Sequence, residues 1–583
     1  MVCCRSLLEE SYIMSDLLTF SFDGEPLIAR RGQSLAAALS DAGERIFRYT
    51  DKGSARGIFC GMGVCQDCLV TVDGVPNQRA CMTIVKADAE VRRQEPRPAL
   101  ARSVSIDPGA ASLAGEGATE MSAARDLSPD VLIVGAGVGG LNAAIAASRS
   151  GASVLVLDER KVAGGQYFKQ PAEGLALLDA QQTQGSELLA EARASGAQLL
   201  GGVEIWGAFP GPLLYAAGPG GEPLILRPRQ LIVATGAYER PRMVPGWTLP
   251  GVMTTGAAQT LWRSYRSLPG QRIAVCGSGP LNLQVALELA RGGADLRLVA
   301  ESADSPLRQP FSAAALLLAD PRLVLTGLGI LAGLHRAKVP IRYRSELLAV
   351  AQGPHGSLRA TFRCDDKEET LELDVLCMND GFEPQNEILR LLGAELQYDT
   401  RFGHLRCSRN DNMSTSVAGL FAVGDCCGLG GAPAAAAEGQ IAGVAAATAC
   451  GLEAEANLPQ ARRDLKHARR FQARLWAMHD PTPSALEELP GDTLICRCEE
   501  VSLGQFRSTV LGGAAEIGAV KLATRLGMGC CQGRYCAGVA ARLLAEAAGE
   551  APGDHSYFAP RVPIKPVSIE VLLATQEALD AKA

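Results

Sequence analysis

The sequence predicts a multidomain α/β chain. A small β-rich domain stands at the start, two strand–glycine turn–helix units in the middle, and a small helical domain near the end. Three observations predict this. Cysteines gather at two places near opposite ends of the chain. Two Gly-x-Gly turns each lie between an apolar run and a helix-like run. The 583 residues are 47% hydrophobic with 64 Gly and only 5% aromatic, a mix that suits nucleotide-binding α/β layers, at a length that allows several cores.

The same numbers exclude other classes. A net charge of −7 gives no basic surface for nucleic acid. No apolar run reaches the ~20 residues of a membrane span, so no transmembrane segment is expected. Met1 to Met14 lacks the charged flank and apolar core of a secretion signal. Met14 offers an alternative start, and Cys3 and Cys4 before it receive no role. With 18 Cys clustered in a large chain and only six His, metal binding in a reducing cytoplasm is favoured over a disulfide scaffold. A peripheral place at the inner face of the membrane stays open.

Residues 16–95 form the first block. "LLTFSFDGEPL" alternates as a hairpin turning at Asp23–Gly24. A helix starts near Ser34, and two further strand-like runs flank Asp73–Gly74. Between them lies Cys60-x4-Cys65-x2-Cys68-x12-Cys81, which matches the plant-type 2Fe–2S ligand spacing. Four thiolates must converge on two irons, so three come from one tight loop and one from a neighbouring strand. Gly57, Gly61 and Gly63 allow that loop to fold closely and aim N–H groups at the sulfurs.

Residues 96–127, rich in Pro, Ala, Gly and Ser, read as a linker. A first dinucleotide unit follows over 128–265. "DVLIVGAGVGGLNAAIAASRSGASVLVLDE" carries Gly135, Gly137 and Gly140 for the tight turn, the pyrophosphate approach and helix–strand packing. Asp158 or Glu159 stands where the ribose hydroxyls are held. Gly165 and Gln166 in "AGGQ", Thr235 and Gly236 in the Ala-Thr-Gly turn, and Asp425 before an Ala/Gly-rich helix join them as candidate dinucleotide-site residues, which the resemblance given below implies to hold FAD. Residues 266–374 read as an inserted NAD-binding-like Rossmann unit. It has Gly277 and Gly279, but Asn282 replaces the third glycine and Ala300, followed by Glu301, the ribose acid. A NAD(P) site and a relict fold used for packing both remain open there.

Residues 375–450 return to the FAD domain, and 451–489 read as a helical connector. The second cysteine cluster, in 490–550, holds Cys496, Cys498, Cys530, Cys531 and Cys536. Residues 551–583 read as an extended C-terminal arm.

These motifs carry a resemblance over nearly the whole chain. "GIFCGMGVCQDCLVTVDGVPNQRAC" resembles the β-grasp, ferredoxin-like small subunit of hydrogen cyanide synthase and opine oxidases, and the start of sarcosine oxidase alpha subunits. The glycine motif, AGGQ, ATG and Asp425 resemble the two-dinucleotide-binding flavoproteins, whose matching aspartate contacts the flavin ribityl chain. Disulfide reductases of that family carry a redox C-x2-C or C-x4-C pair. This chain has only the adjacent Cys426–Cys427, which disfavours dithiol reduction. "CRCEEV" with "GMGCCQGRYC" resembles the bacterioferritin-associated-ferredoxin-like 2Fe–2S domain, with Cys496, Cys498, Cys531 and Cys536 as implied ligands and Cys530 as the competitor of Cys531.

The resemblance implies an alpha-type FAD and iron–sulfur subunit of a heteromeric amino-acid or amine dehydrogenase acting on C–N bonds. The substrate class covers opines, sarcosine, proline, hydroxyproline and glycine. The implied partners are a quinone, ferredoxin or other acceptor, together with a D-amino-acid-oxidase-like beta subunit. The alternatives are a self-contained NAD(P)H-dependent reductase and a non-catalytic redox scaffold or sensor. No residue set for a general base or a hydrolytic triad appears, so no catalytic side chain is assigned.

Overall fold

The computed structural model describes residues 17–96, 123–365, 367–453, 458–479 and 486–580. Cys3 and Cys4 and most of the expected linker, 97–122, lie outside them.

The N-terminal domain is a five-stranded sheet ordered 25–30, 17–22, 90–93, 69–72, 75–79. Leu17–Phe22 and Glu25–Arg30 pair antiparallel. Their turn places Asp23 and Gly24 at φ 50° and 88°, the left-handed pair a two-residue hairpin needs. Asp73 and Gly74 repeat that geometry. The helix Leu35–Asp41 is capped by Ser34, whose Oγ accepts from Ala37 N at 3.3 Å. It lays Leu35 through Leu39 onto the sheet.

The first dinucleotide unit is a parallel five-stranded sheet ordered 198–201, 154–158, 131–134, 230–233, 420–422. Val131–Val134 is buried on both faces, as a central parallel strand must be. The helices Val138–Arg149 and Gly431–Ala449 pack closely because of two glycines. A Cβ on Gly439 would lie 2.2 Å from Gly139 O, and one on Gly443 2.3 Å from Ala143 O.

The second unit is larger than expected. Its sheet is ordered 252–254, 375–379, 272–277, 295–301, 341–342. The strands Val252–Thr254 and Val375–Asn379 therefore belong to it, whereas boundaries at 266 and 375 had placed both in the FAD domain. The two strands pair with each other across more than a hundred residues, a contact that local periodicity does not carry. Likewise Arg125–Leu127, expected as linker, pairs with Pro223–Leu226.

The connector contains the helix Leu458–His479. Near the C-terminus, the helices Leu503–Leu511, Ile517–Thr524 and Ala537–Ala548 surround the second cysteine cluster. The tail has one 3-10 turn, Asp554–Ser556, and is otherwise without helix or strand as far as Ser568. It is tied down by Ile564 N donating to Trp206 O at 2.9 Å. It then ends in the helix Ile569–Asp580, where a wholly extended arm had been expected. No helix among the described residues is long and apolar enough to cross a membrane.

Candidate functional site: a flavin cleft between two cysteine clusters

A cleft of about 770 Å³ runs along the first glycine loop and reaches the second unit. Each glycine of the loop has its own reason. Gly135 has φ 110°, and a Cβ there would sit 2.3 Å from Ala234 O. Gly140 touches the loop itself, with its Cβ position 1.8 Å from Gly135 O. Gly137 differs. A Cβ there would meet nothing nearer than Gly165 Cα at 3.8 Å, and it lines the cleft. This open place at a helix N-terminus is the cradle a pyrophosphate requires, so the residues fit a dinucleotide flavin.

Asp158 and Glu159 separate clearly. Asp158 accepts from Ala136 N at 2.6 Å and Arg160 N at 2.8 Å, closing the loop with both oxygens. Burial pushes its carboxyl up. Glu159 lies between chain segments from both ends. Arg79 donates to it at 3.0 Å and Lys565 pairs with its other oxygen. Burial pushes Glu159 up, but Lys565 and Arg79 outweigh it and hold the carboxyl at about 2.

Gly165 packs on Gly137, and Gln166 lines the cleft beside it. Thr235 Oγ1 donates to Gln385 O at 2.6 Å, next to Gly236 at φ 73°. Asp425 lies just before the helix Gly431–Ala449 and accepts from Gly430 N at 2.9 Å and Gly431 N at 3.0 Å. Burial raises its carboxyl too.

Sequence reasoning missed a buried pair in this cleft. Lys169 donates from Nζ to Gly256 O at 2.5 Å and Thr260 Oγ1 at 3.0 Å. Burial pushes its ammonium down to about 7, against the pull of Glu239. Glu239 accepts from Gly256 N at 2.8 Å and from Asn379 Nδ2 at 2.7 Å. The available signals were a lysine just past AGGQ and a glutamate just past ATG.

In the second unit Gly277 at φ 123° packs against Asn379 O. Asn282 fills the third-glycine position by accepting from Thr255 Oγ1 at 2.8 Å. Glu301, one residue past Ala300, accepts from Gly279 N at 3.1 Å and Ala303 N at 3.0 Å. Ser278 Oγ donates to His479 O at 2.5 Å, so the end of the helix Leu458–His479 meets this loop.

The structure brings Cys60, Cys65, Cys68 and Cys81 together in a fully buried set. Their thiols meet in pairs, Cys60 with Cys65 and Cys68 with Cys81. Cys60 also accepts from Met62 N at 3.5 Å and Cys65 N at 3.4 Å. Burial opposes ionisation, but the Cys65 thiol first, and then these backbone amides, draw the Cys60 thiol to about 6. Among the described residues no group of three or more His, Cys, Asp or Glu is already arranged to hold a metal ion. Pairs of thiols are what two irons, each taking two thiolates, require.

In the second set Cys496 contacts Cys498 and Cys536. Cys498 Sγ lies 3.8 Å from Cys530 Sγ, with Cys531 close enough to raise the Cys498 thiol as well. A Cβ on Gly529 would fall 2.2 Å from Cys498 Cβ, so glycine is required for this approach. Cys531 is buried and Cys530 half-buried, with its Sγ 3.9 Å from Gln66 O. Cys426 and Cys427 stand apart, buried, with sulfurs 3.6 Å from each other.

Comparison with known proteins agrees with this layout. Residues 15–96 match a 2Fe-2S iron-sulfur cluster binding domain and residues 494–546 a BFD-like 2Fe-2S binding domain. The chain is 32% identical to the opine oxidase A subunit of Rhizobium meliloti (strain 1021), over 76% of this chain and 97% of that one. It is 30% identical to the hydrogen cyanide synthase subunit HcnB of Pseudomonas aeruginosa, over 75% and 96%. The fold matches L-proline dehydrogenase from P. horikoshii with a TM-score of 0.68 at 19% identity, covering 95% of this chain and 97% of that one. Residues 129–448, more than half of the sequence, match the pyridine nucleotide-disulphide oxidoreductase model. The chain therefore belongs to the pyridine nucleotide-disulphide oxidoreductase family, in a form that carries a 2Fe–2S domain on either side of the flavin unit and is related to the opine oxidase A subunits.

Proposed function

We propose that this chain is the alpha-type subunit of a heteromeric amino-acid or amine dehydrogenase, relaying electrons between FAD and two 2Fe–2S clusters to an acceptor. One observation carries the reading: both cysteine loops reach the flavin cleft. Met62 and Val64 lie between Cys60 and Cys65 and line it. Arg534, between Cys531 and Cys536, lines it as well. When bound, FAD supplies two-electron exchange and each cluster one-electron exchange, so a hydride equivalent can be divided into single electrons.

The chain's own residues bind, orient and insulate. Gly137 leaves room for the pyrophosphate. Glu159 is taken as the ribose ligand over Asp158, whose two oxygens accept from loop amides, and it would serve while also pairing with Arg79 and Lys565. Asp425 stands beside the N-terminus of the helix Gly431–Ala449, which favours negative charge on a flavin edge. Cys60, Cys65, Cys68 and Cys81 hold the first cluster, and Cys496, Cys498, Cys531 and Cys536 the second.

C–N bond oxidation falls to a separate D-amino-acid-oxidase-like beta subunit. Opines, sarcosine, proline, hydroxyproline and glycine are the candidate substrates, and a quinone or ferredoxin the candidate acceptor. Co-expression with such a partner, followed by a substrate screen with dye reduction, tests this. Turnover is expected only when both chains are present. Oxidation of an amino acid by this chain alone would overturn the assignment.

A NAD(P)H-dependent reductase is favoured by one feature. Ser278, Gly279 and Pro280 of the second unit open onto the same cleft. Bleaching of the flavin by NADH in the absence of any partner decides for that reading.

A further inference from the structure

The two cysteine loops touch each other. Asp67 immediately precedes Cys68, and Arg497 lies between Cys496 and Cys498. Arg497 Nε donates to Asp67 Oδ2 at 2.6 Å, with side chains only 3% and 1% exposed. Arg48 Nη2 donates to the other oxygen of Asp67 at 2.9 Å. The Arg497 guanidinium lies 3.8 Å over the Phe59 ring and 4.8 Å over Trp247, and its Nη1 donates to Trp247 O at 3.0 Å.

Two further contacts join ligand-adjacent residues. Phe59 precedes Cys60 and Tyr535 precedes Cys536, and these rings meet edge to face at 5.4 Å. Cys530 Sγ lies 3.9 Å from Gln66 O. A second buried ion pair, Arg56 to Glu500 at 2.9 Å, closes the same seam.

Burying an ion pair costs desolvation that apolar side chains would avoid, and fixing register is the best-attested reason to keep one. Exposure adds a direction. All four cysteines of the first set are buried, whereas Cys498 and Cys530 are half-buried. Of the assigned ligands only Cys498, in the second set, is half-buried, so the second set lies nearer the surface.

We propose that the two clusters exchange electrons directly across this seam, and that the Asp67–Arg497 pair is the positioning element that holds their loops in register. The inference rests on the reading that both cysteine sets hold 2Fe–2S clusters. One iron on the donor side goes from ferrous to ferric as one on the receiving side goes from ferric to ferrous. No bond is made or broken and no proton moves. The first cluster is thus an inner relay, with the second as its outlet.

The test uses the full-length protein reduced with dithionite and followed by electron paramagnetic resonance. Both signals are expected to be broadened by each other. Cys498→Ser, which removes the second cluster, is expected to sharpen the signal of the first. In Arg497→Gln with both clusters retained, the mutual broadening should weaken and both reduction potentials should fall together, because a cation beside both loops is gone. Asp67→Asn should raise both. A role confined to folding one domain would move one potential only.

Iron and labile sulfide short of two clusters in the wild type would defeat the cluster reading itself. Full content with two independent, unbroadened signals would overturn the inference alone. That wild-type measurement decides even if neither variant folds.

Discussion

Gly137→Ala and Gly140→Ala differ by one methyl each in the same loop, yet the structure assigns them opposite failures. At Gly140 the new Cβ would lie 1.8 Å from the backbone oxygen of Gly135. Neither atom can move without parting the helix Val138–Arg149 from its strand. Overpacking of this kind sits at the upper end of the usual range, about 3 kcal/mol. That corresponds to a fall of roughly 6–12 °C in the melting temperature of the flavin-binding unit, taken as melting on its own in the flavin-free protein. At Gly137 the backbone already has φ −81° and ψ −170°, which alanine adopts freely. The nearest atom is 3.8 Å away, so the flavin-free fold should change by less than ~0.5 kcal/mol. The methyl instead fills the place where the pyrophosphate would approach, and a loss of at least about tenfold in FAD affinity, ~1.4 kcal/mol, is expected. Thermal melts of the flavin-free variants and FAD titration by fluorescence quenching separate the two effects. If Gly137→Ala binds FAD like the wild type, the cleft is not the seat of the pyrophosphate. If Gly140→Ala melts like the wild type, the packing argument for the third glycine fails.

Cys68→Ser and Cys496→Ser are each expected to remove one cluster, halving iron and labile sulfide and leaving flavin content unchanged; colorimetric iron and sulfide assays check this. Cys531→Ser should abolish the second cluster, while Cys530→Ser should retain it, and equal losses in both would contradict the assignment of Cys531. Lys169 is held neutral above about 7 by burial, against 10.5 for a free lysine. Between those values the unfolded chain binds one more proton, so this site makes the fold more stable as pH rises, with a slope of about 1.4 kcal/mol per pH unit. Lys169→Met should flatten that slope in denaturant titrations across the window, and an unchanged slope refutes the role of burial.

Local features were legible in the sequence because short-range chemistry dictates them. Asp23–Gly24 must turn left-handed, Ser34 offers a hydroxyl to an unpaired helix amide, and glycines at 135, 137 and 140 answer to contacts within one loop. Cys60, Cys65 and Cys68 are close in sequence and so in space. What the sequence hid depends on distant pairing. Val252–Thr254 looks like the lead-in to a helix, and only its partner Val375–Asn379 makes it a strand of the second sheet. The contrast between Asp158 and Glu159 comes from the loop amides that engage one and the distant cations that engage the other. Asp67 and Arg497 read as ordinary charges beside cysteines, because nothing in either segment announces that the two loops meet. Lys169 and Glu239 each follow a recognisable motif, but nothing in either segment shows that the two meet in one cleft.

Glu159 is shared by the two ends of the chain, since Arg79 comes from the N-terminal domain and Lys565 from the C-terminal tail. Thermodynamic reciprocity then applies. A ribose that draws on this carboxylate changes the docking free energy of both termini. Docking of the termini changes the affinity for the dinucleotide by the same factor. With Glu159 as the proposed ribose ligand, cofactor loading and closure of the molecule at its two ends would be one linked equilibrium.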